Sequence, residues 1–495
     1  MKKKIKFIGA LAIVLAIMLS LAACKSGDAE AEQNNVSSNE VKEEKEENQE
    51  SNDIVTIKWV QVGSGMPANY DAWKANIDQY LEEKIGVHLD MEIVSWGNWD
   101  NRRSVMINTN EDYDIMFTNS GTYTSDVNLG AFLNISDLVQ NKTPELYKFI
   151  PEDYWEASKV NGEIYAVPTY KDSSMTNYFI YDKELVESYD IDYTLLKELS
   201  DLTEPLTRIA QGENTSPFVL NTIGLDAVLS RYDQMSAGLP ALGVRYDDES
   251  RTVVPVFEQE DIIRQLDILH EWYNAGIINS DAATLAELPT YRMAFVAQGW
   301  SKAAETTWGP QMGVDAVAEQ WGETIVSNDT VRGSLSCISS SSENPEKALQ
   351  LLELVNTDSY VRDALYYGLE GENFIYTDDN KVEKLNSDWT MAGYTQGTFF
   401  NVSQLVEDEF NQWDEVKELN ANAKPSVLLG FTFDYSQVED QLANCVEIFN
   451  RYKSEILTGT VDSQTQVPLM MEEMRAAGFD DLVQEAQSQV NHHFK

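Results

Sequence analysis

The hydrophobic positions of this chain change period several times between residues 54 and 128. Ile54-Val55-Thr56-Ile57-Lys58-Trp59-Val60 is β-branched and bounded by turn-formers, which predicts a strand. A loop, Gly63-Ser64-Gly65-Met66-Pro67, follows. Over 70–85 the apolar residues Trp73, Ile77, Tyr80, Leu81 and Ile85 fall on one helical face, and Gly86 supplies the stop. Val87 to Val94 alternates as a second strand, Asn101 to Asn108 reads as a helix, and Tyr113 to Phe117 reads as a third strand. This β-α-β-α-β rhythm predicts a parallel sheet with crossover helices. Ligands of such sheets gather beyond the carboxyl ends of the strands, here the loops 61–70, 95–101 and 118–128.

Farther along, Asn344 is placed to cap a helix whose first residue is Pro345, with Glu346 complementing the dipole. Leu349, Leu352 and Val355 line its apolar face. A further helix is predicted from about Ser436 to Leu457, with Val438, Leu442, Cys445, Phe449 and Tyr452 as its stripe and Gly459 beyond its end. Cys445 and Cys337 therefore read as core thiols. A bond between them is left open, because sequence carries no distance.

Length and charge narrow the picture. The 495 residues exceed one ordinary core, so two or more lobes are expected. Asp and Glu number 82 against 36 Lys and Arg, a formal net charge of −46. Such a field repels nucleic acid and anionic lipid. No phosphate loop, dinucleotide fingerprint, HExxH or GxSxG occurs. His88 and His270 read as structural or surface residues. Asp190-x-Asp192-x-Thr194 lacks the glycine of a calcium loop, since Leu195 stands there. Neither a metal nor a cofactor is expected.

The first residues read as an address. Lys2, Lys3, Lys4 and Lys6 precede the apolar run Phe7 to Leu19, and Leu21-Ala22-Ala23-Cys24 follows, the order of a secretory signal. The run is shorter than the ~20 residues needed to span a bilayer. The last four residues resemble the bacterial lipobox, which implies cleavage before Cys24 and a diacylglycerol on its thiol. Residues 24–53 are acidic and almost free of large apolar side chains, so they read as a disordered tether.

Within the body, Asn161-Gly162-Glu163-Ile164-Tyr165-Ala166-Val167-Pro168 resembles the nGkiYavP element of extracellular solute-binding lipoproteins of ABC importers. Tyr113 to Phe117, Gly130 to Leu138, the step from Ser339 to Leu354 and Tyr367 to Phe374 are similar to further segments of that family. Leu429 to Asp434, Gly459 to Asp462 and Ala476 to Phe479 resemble its DUF3502 C-terminal module. The family carries Lys-His where Glu372-Asn373 stand here.

The resemblance implies an α/β, type 2 periplasmic-binding-protein fold, two lobes joined by a multi-crossing hinge. Residues 54–169 and 331–395 would form lobe 1. Residues 170–330 and 396–495 would form lobe 2. It also implies a lipid-anchored protein of the outer face of a membrane, Gram-positive by expectation. That protein would be monomeric and would deliver an oligosaccharide to the permease subunits of an ABC importer by lobe closure. Peptide binding and a surface enzyme acting on polysaccharide are the competing readings.

Sugar sites combine aromatic faces with planar polar groups. That mixture selects Trp96 and Trp99, then Asn119, Ser120 and Tyr123, then Tyr170, Lys171 and Asp172. Trp300, Tyr367, Glu370, Asn373 and Phe399 complete the expected ligand contacts.

Overall fold

The computed structural model describes residues 54–495 apart from Ala237. The signal sequence, Cys24 and the tether lie outside the described residues.

Val55–Gly63 (β1) pairs in parallel with Val87–Ser95 (β2) along its whole length, and with Ile115–Thr118 (β3) on its other side. β1 is central and covered on both faces, so Ile57, Trp59, Val60 and Val62 are all buried. At the edge, β2 buries alternate residues, Val87, Leu89, Met91 and Ile93. The helix Tyr70–Ile85 (α1) buries Trp73, Ile77 and Leu81, while Tyr80 and Ile85 flank the stripe. Gly86 ends it at φ +67, a conformation that costs other residues.

Two later strands complete the sheet, Ala166–Pro168 (β4) and Leu335–Ile338. The latter inserts antiparallel between β3 and β4. The chain therefore leaves this lobe after β4 and returns 167 residues later, if counted from Pro168 to Leu335.

The second lobe is built on Met175–Asp182 (β5), flanked antiparallel by Ala294–Gln298 (β6) and Ala316–Val326 (β7). Lys424–Pro425 adds a short parallel edge to β7. The C-terminal helices Glu439–Leu457, Ser463–Ala476 and Phe479–His493 share this lobe's core, through Phe449, Met470, Met474 and Leu482. Gly459 follows the first of them at φ +70, and its carbonyl lies 2.8 Å from His270 Nδ1.

The passages between lobes lie side by side. Thr169 N donates to Ser334 O at 3.0 Å, which ties the first to the second. Asn420 ties in the third, accepting from Ser174 Oγ at 2.7 Å and donating to the Lys171 carbonyl. That third passage comes later than residue 396. Thr398 N still donates to Asn356, and Ser403 N to Asp363, both on the first lobe. Buried polar side chains of the helix pair 345–367 hold the segment there, a long-range effect invisible to local pattern.

The helix Pro345–Thr357 buries Leu349, Leu352 and Val355 as expected, but the Asn344 side chain makes no capping bond. Instead Ser342 Oγ accepts from Asn344 N at 3.2 Å.

Cys337 and Cys445 are free, fully buried, and belong to the cores of different lobes. Burial pushes the Cys445 thiol up to about 11 and that of Cys337 well above its ordinary value. Both should resist alkylation at pH 8 in the folded protein and react on unfolding. Melting should not change with reductant. Rapid labelling of native protein, or a reductant-sensitive melt, would contradict this.

Candidate ligand-binding cleft

Beyond the carboxyl ends of β1 to β3 lies a rim with an exposed aromatic face. Trp96, in the turn after β2, is 48% exposed, and Tyr394 is 44% exposed. Their rings are nearly parallel, 6° apart with centroids 6.3 Å apart, and Phe117 meets Trp96 edge-on. Two large aromatics left open to water side by side are a surface awaiting a partner.

The segment carrying Tyr394 is held from beneath. Arg362 is fully buried and donates to the carbonyls of Thr398 and Gly393, each at 2.5 Å. Thr395 Oγ1 donates to Gln61 Oε1 at 3.0 Å, on β1 itself. The approach is close: a Cβ on Gly393 would fall 2.5 Å from the Tyr366 ring.

Toward the second lobe a cavity of about 380 Å³ opens between the two lobes. Ser120, Gly121 and Thr124 line it from the first lobe, and Phe433, Tyr435 and Leu442 from the C-terminal module. A larger groove of about 930 Å³ runs along the second lobe, and the two share Asp233, Gln234 and Asp329. Arg332 supports the floor. Its guanidinium donates to Ala157 O at 2.8 Å and Lys159 O at 2.7 Å in the first lobe. It also donates to Thr432 Oγ1 at 3.1 Å in the C-terminal module.

Asp233 sits where these parts meet and accepts from Ser426 Oγ. Burial, with the charge of Asp329 as a smaller cause, pushes its carboxyl up to about 7. The raised value means the folded state holds a proton that the unfolded state has released. This contribution to stability is full below about pH 4 and declines as pH rises toward 7. Asp233→Asn should therefore flatten the decline in melting temperature between those limits. An unchanged pH profile would refute the assignment.

A third cluster lies at the last passage. Phe399 stacks on Trp413 at 4.2 Å, and Trp300 tilts against Trp413 at 5.5 Å. Lys171 lies 5.9 Å above Phe399 and pairs with Asp172. Trp300 Nε1 is buried without a hydrogen-bond partner.

The residues expected to contact ligand thus separate. Trp96 is exposed in the turn after β2, Ser120 lines the 380 Å³ cavity, and Asn119 shapes the turn beside Ser120 by accepting from Gly121 N at 3.0 Å. Lys171, Asp172, Trp300 and Phe399 cluster at the third passage, and Glu370 is exposed on the first lobe.

Five others are structural. Trp99 packs edge-on against Phe117, and Tyr123 is buried with its hydroxyl on Ser158 O. Tyr170 wedges between Tyr154 and Phe400. Tyr367 donates to Ser403 O at 2.6 Å. Asn373 Oδ1 accepts from Leu369 N at 2.9 Å and from Asn69 at 2.8 Å. The polar tips of Tyr123, Tyr367 and Asn373 are satisfied internally, while Trp99 and Tyr170 are held by packing against aromatic neighbours.

Tyr394 was missed, although Met391-Ala392-Gly393-Tyr394-Thr395-Gln396-Gly397 carries the same Gly-aromatic-polar signal as the chosen loops. Asp233, Gln234 and Arg332 carried no local signal. Among the described residues no group of acids, histidines and cysteines could hold a metal, and no helix is long and apolar enough to cross a membrane.

Two α/β lobes, joined by three adjacent passages and enclosing a cleft, define a bilobal binding protein of the type 2 periplasmic-binding fold. Residues 63–227 match the bacterial extracellular solute-binding proteins, and residues 427–495 match the domain of unknown function DUF3502. The chain is thus similar to the extracellular solute-binding proteins over part of its length and to that domain at its C-terminal end.

It is 27% identical to a carbohydrate ABC transporter substrate-binding protein of Streptococcus pneumoniae serotype 4, over 100% of this chain and 99% of the relative. The crystal structure of the N-glycan transport solute-binding protein NgtS of S. pneumoniae is 26% identical. It superposes with a TM-score of 0.80 over 88% of this chain and 98% of NgtS. For NgtS in complex with Man5GlcNAc the score is 0.68, with the same identity and coverage.

Proposed function

We propose that this protein captures an oligosaccharide between its lobes and presents it to the permease of an ABC importer, without catalysing a reaction on it. The observation that carries this reading is the exposed, parallel Trp96–Tyr394 face at the carboxyl ends of the first lobe's strands. Pyranose rings bury their C–H faces on such surfaces while side-chain amides and carboxylates orient the hydroxyls. Gln234, Asn328 and Asp329 line the cavity between the lobes with that chemistry. The carbohydrate relatives support the ligand class.

Ligand touching both lobes would shift the population to a closed form. The lower structural similarity to the sugar-bound NgtS than to NgtS named alone supports a bound form arranged differently from this one. Hydrolysis of ATP would fall to a separate subunit, since this sequence has no phosphate loop. The Cys24 thiol would carry the lipid that keeps the protein at the outer face of the membrane. Radiolabelled palmitate should enter the wild-type chain and not Cys24→Ala.

The test of ligand class is thermal unfolding of the full chain in detergent, with plant, host-glycan and starch oligosaccharides and with short peptides. Ligand at ~100 times its Kd adds about 2.7 kcal/mol. A rise in melting temperature with an intact sugar supports the reading. A rise with peptides alone, or cleavage of the sugar, overturns it.

A further inference from the structure

One arginine in the second lobe stands apart from the rest. The chain has 82 acidic residues against 36 basic ones, so a cation should find a carboxylate readily. The other buried or half-buried arginines are all engaged. Arg102, Arg103, Arg231 and Arg245 pair with acids. Arg251, Arg332 and Arg362 donate to backbone carbonyls.

Arg292 does neither. It is half-buried, two residues before β6, with its guanidinium carbon 3.7 Å from the centroid of Phe295. Its Nε is buried and has no hydrogen-bond partner. Burial alone lowers its pKa; no neighbouring acid opposes the shift.

This side chain lines the 930 Å³ groove. Leu220, Ile223 and Leu288 give that part of the groove an apolar wall, with Ile223 58% exposed. Lys453, half-buried on the helix Glu439–Leu457, lines the groove without an ion pair among the described residues. The acids of the same groove, Asp226, Asp233 and Asp329, make no ion pair with Arg292.

A guanidinium held against an aromatic ring has restricted freedom, and a planar carboxylate accepts its N–H groups as a fork. Leaving the buried Nε unpaired costs stability, and an incoming anion would satisfy it.

We infer that Arg292, with Lys453 as the second cation, forms a subsite for the carboxylate of an acidic sugar. The oligosaccharide would thus carry a uronic or sialic acid residue. This rests on the oligosaccharide reading and adds its charge. An acidic ligand approaching so anionic a protein meets long-range repulsion, and the fork supplies the local contact that offsets it.

Titration calorimetry of the full chain in detergent tests this. The probes are a panel of uronate- and sialate-bearing oligosaccharides, the same panel after reduction of its carboxylates to alcohols, and neutral oligosaccharides of similar length. The expected result is an acidic member bound at least tenfold more tightly than its reduced form. Arg292→Gln should weaken that binding by about 30-fold and leave the reduced sugar within about threefold. Arg292→Lys should retain part of the preference. Melting of each variant without ligand should match wild type. Equal binding of acidic and reduced forms, or binding confined to neutral sugars, overturns the acidic subsite and leaves the oligosaccharide reading standing. Binding of peptides and of no sugar overturns both.

Discussion

Removing both rings of the exposed face, Trp96→Ala with Tyr394→Ala, is expected to weaken oligosaccharide binding by about 100-fold while leaving the fold intact. Each ring stacked on a sugar contributes roughly 1–2 kcal/mol, and 1.4 kcal/mol is a factor of ten in affinity. Both rings are more than two-fifths exposed, so little packing is lost with them. The unfolding free energy should stay within about 1 kcal/mol of wild type. Trp96→Phe keeps a smaller face and should lose less. Calorimetry on the ligand found in the melting panel, beside a denaturant curve for each variant, separates binding from stability. A double variant that binds within threefold of wild type would remove the face from the site.

Arg362→Ala is expected to have the largest effect on stability of any substitution argued here, about 3–5 kcal/mol. The side chain is fully buried, and its guanidinium spans the carbonyls of Gly393 and Thr398. Truncation leaves two buried acceptors unpaired, at roughly 1–3 kcal/mol each, and adds a cavity. Burial pushes the Arg362 pKa down to about 10, so the group stays cationic near neutral pH and its hydrogen bonds are charge-assisted.

The consequence for function runs through Tyr394, one residue beyond Gly393. Arg362 is a positioning residue, and its loss should free the segment that holds the Tyr394 ring against Trp96. Arg362→Lys keeps the charge without the fork, so it should fall between wild type and alanine in stability. The two readouts are the denaturant midpoint and sugar affinity measured well below that midpoint. An alanine variant as stable as wild type, or one that binds sugar normally, would show that the segment holds itself.

Sequence pattern read the first lobe well because its elements obey local rules. The face Trp73, Ile77, Leu81 repeats at helical period, and alternation along Val87–Ser95 is that of an edge strand with one buried face. Gly86 and Gly459 mark helix ends because both need positive φ. Family-like segments from Asn161-Gly162 to Ala476-Ala477-Gly478 carried the two-lobed fold, since they keep their order along the chain.

The site was less legible. A loop aromatic beside glycine signals exposure only if no distant segment covers it. Trp96 and Trp99 lie three residues apart with the same kind of neighbours, yet one is open and the other is 3% exposed against Phe117. The helix that begins at Trp99 turns its side chain inward and leaves Trp96 in the preceding turn.

By itself, then, the sequence determined the α/β alternation of the first lobe, the approximate positions of its helices and the resemblance to solute-binding proteins. These depend on residues near one another in the chain or on motif order. Only the tertiary structure decided which aromatics stay exposed, where the third passage lies, and that Tyr394 meets Trp96. It also decided that Asp233 is half-buried against Ser426 and that Arg292 has no ion-pair partner. Each of these depends on segments tens to hundreds of residues apart packing together, and burial, pairing and pKa follow from that packing.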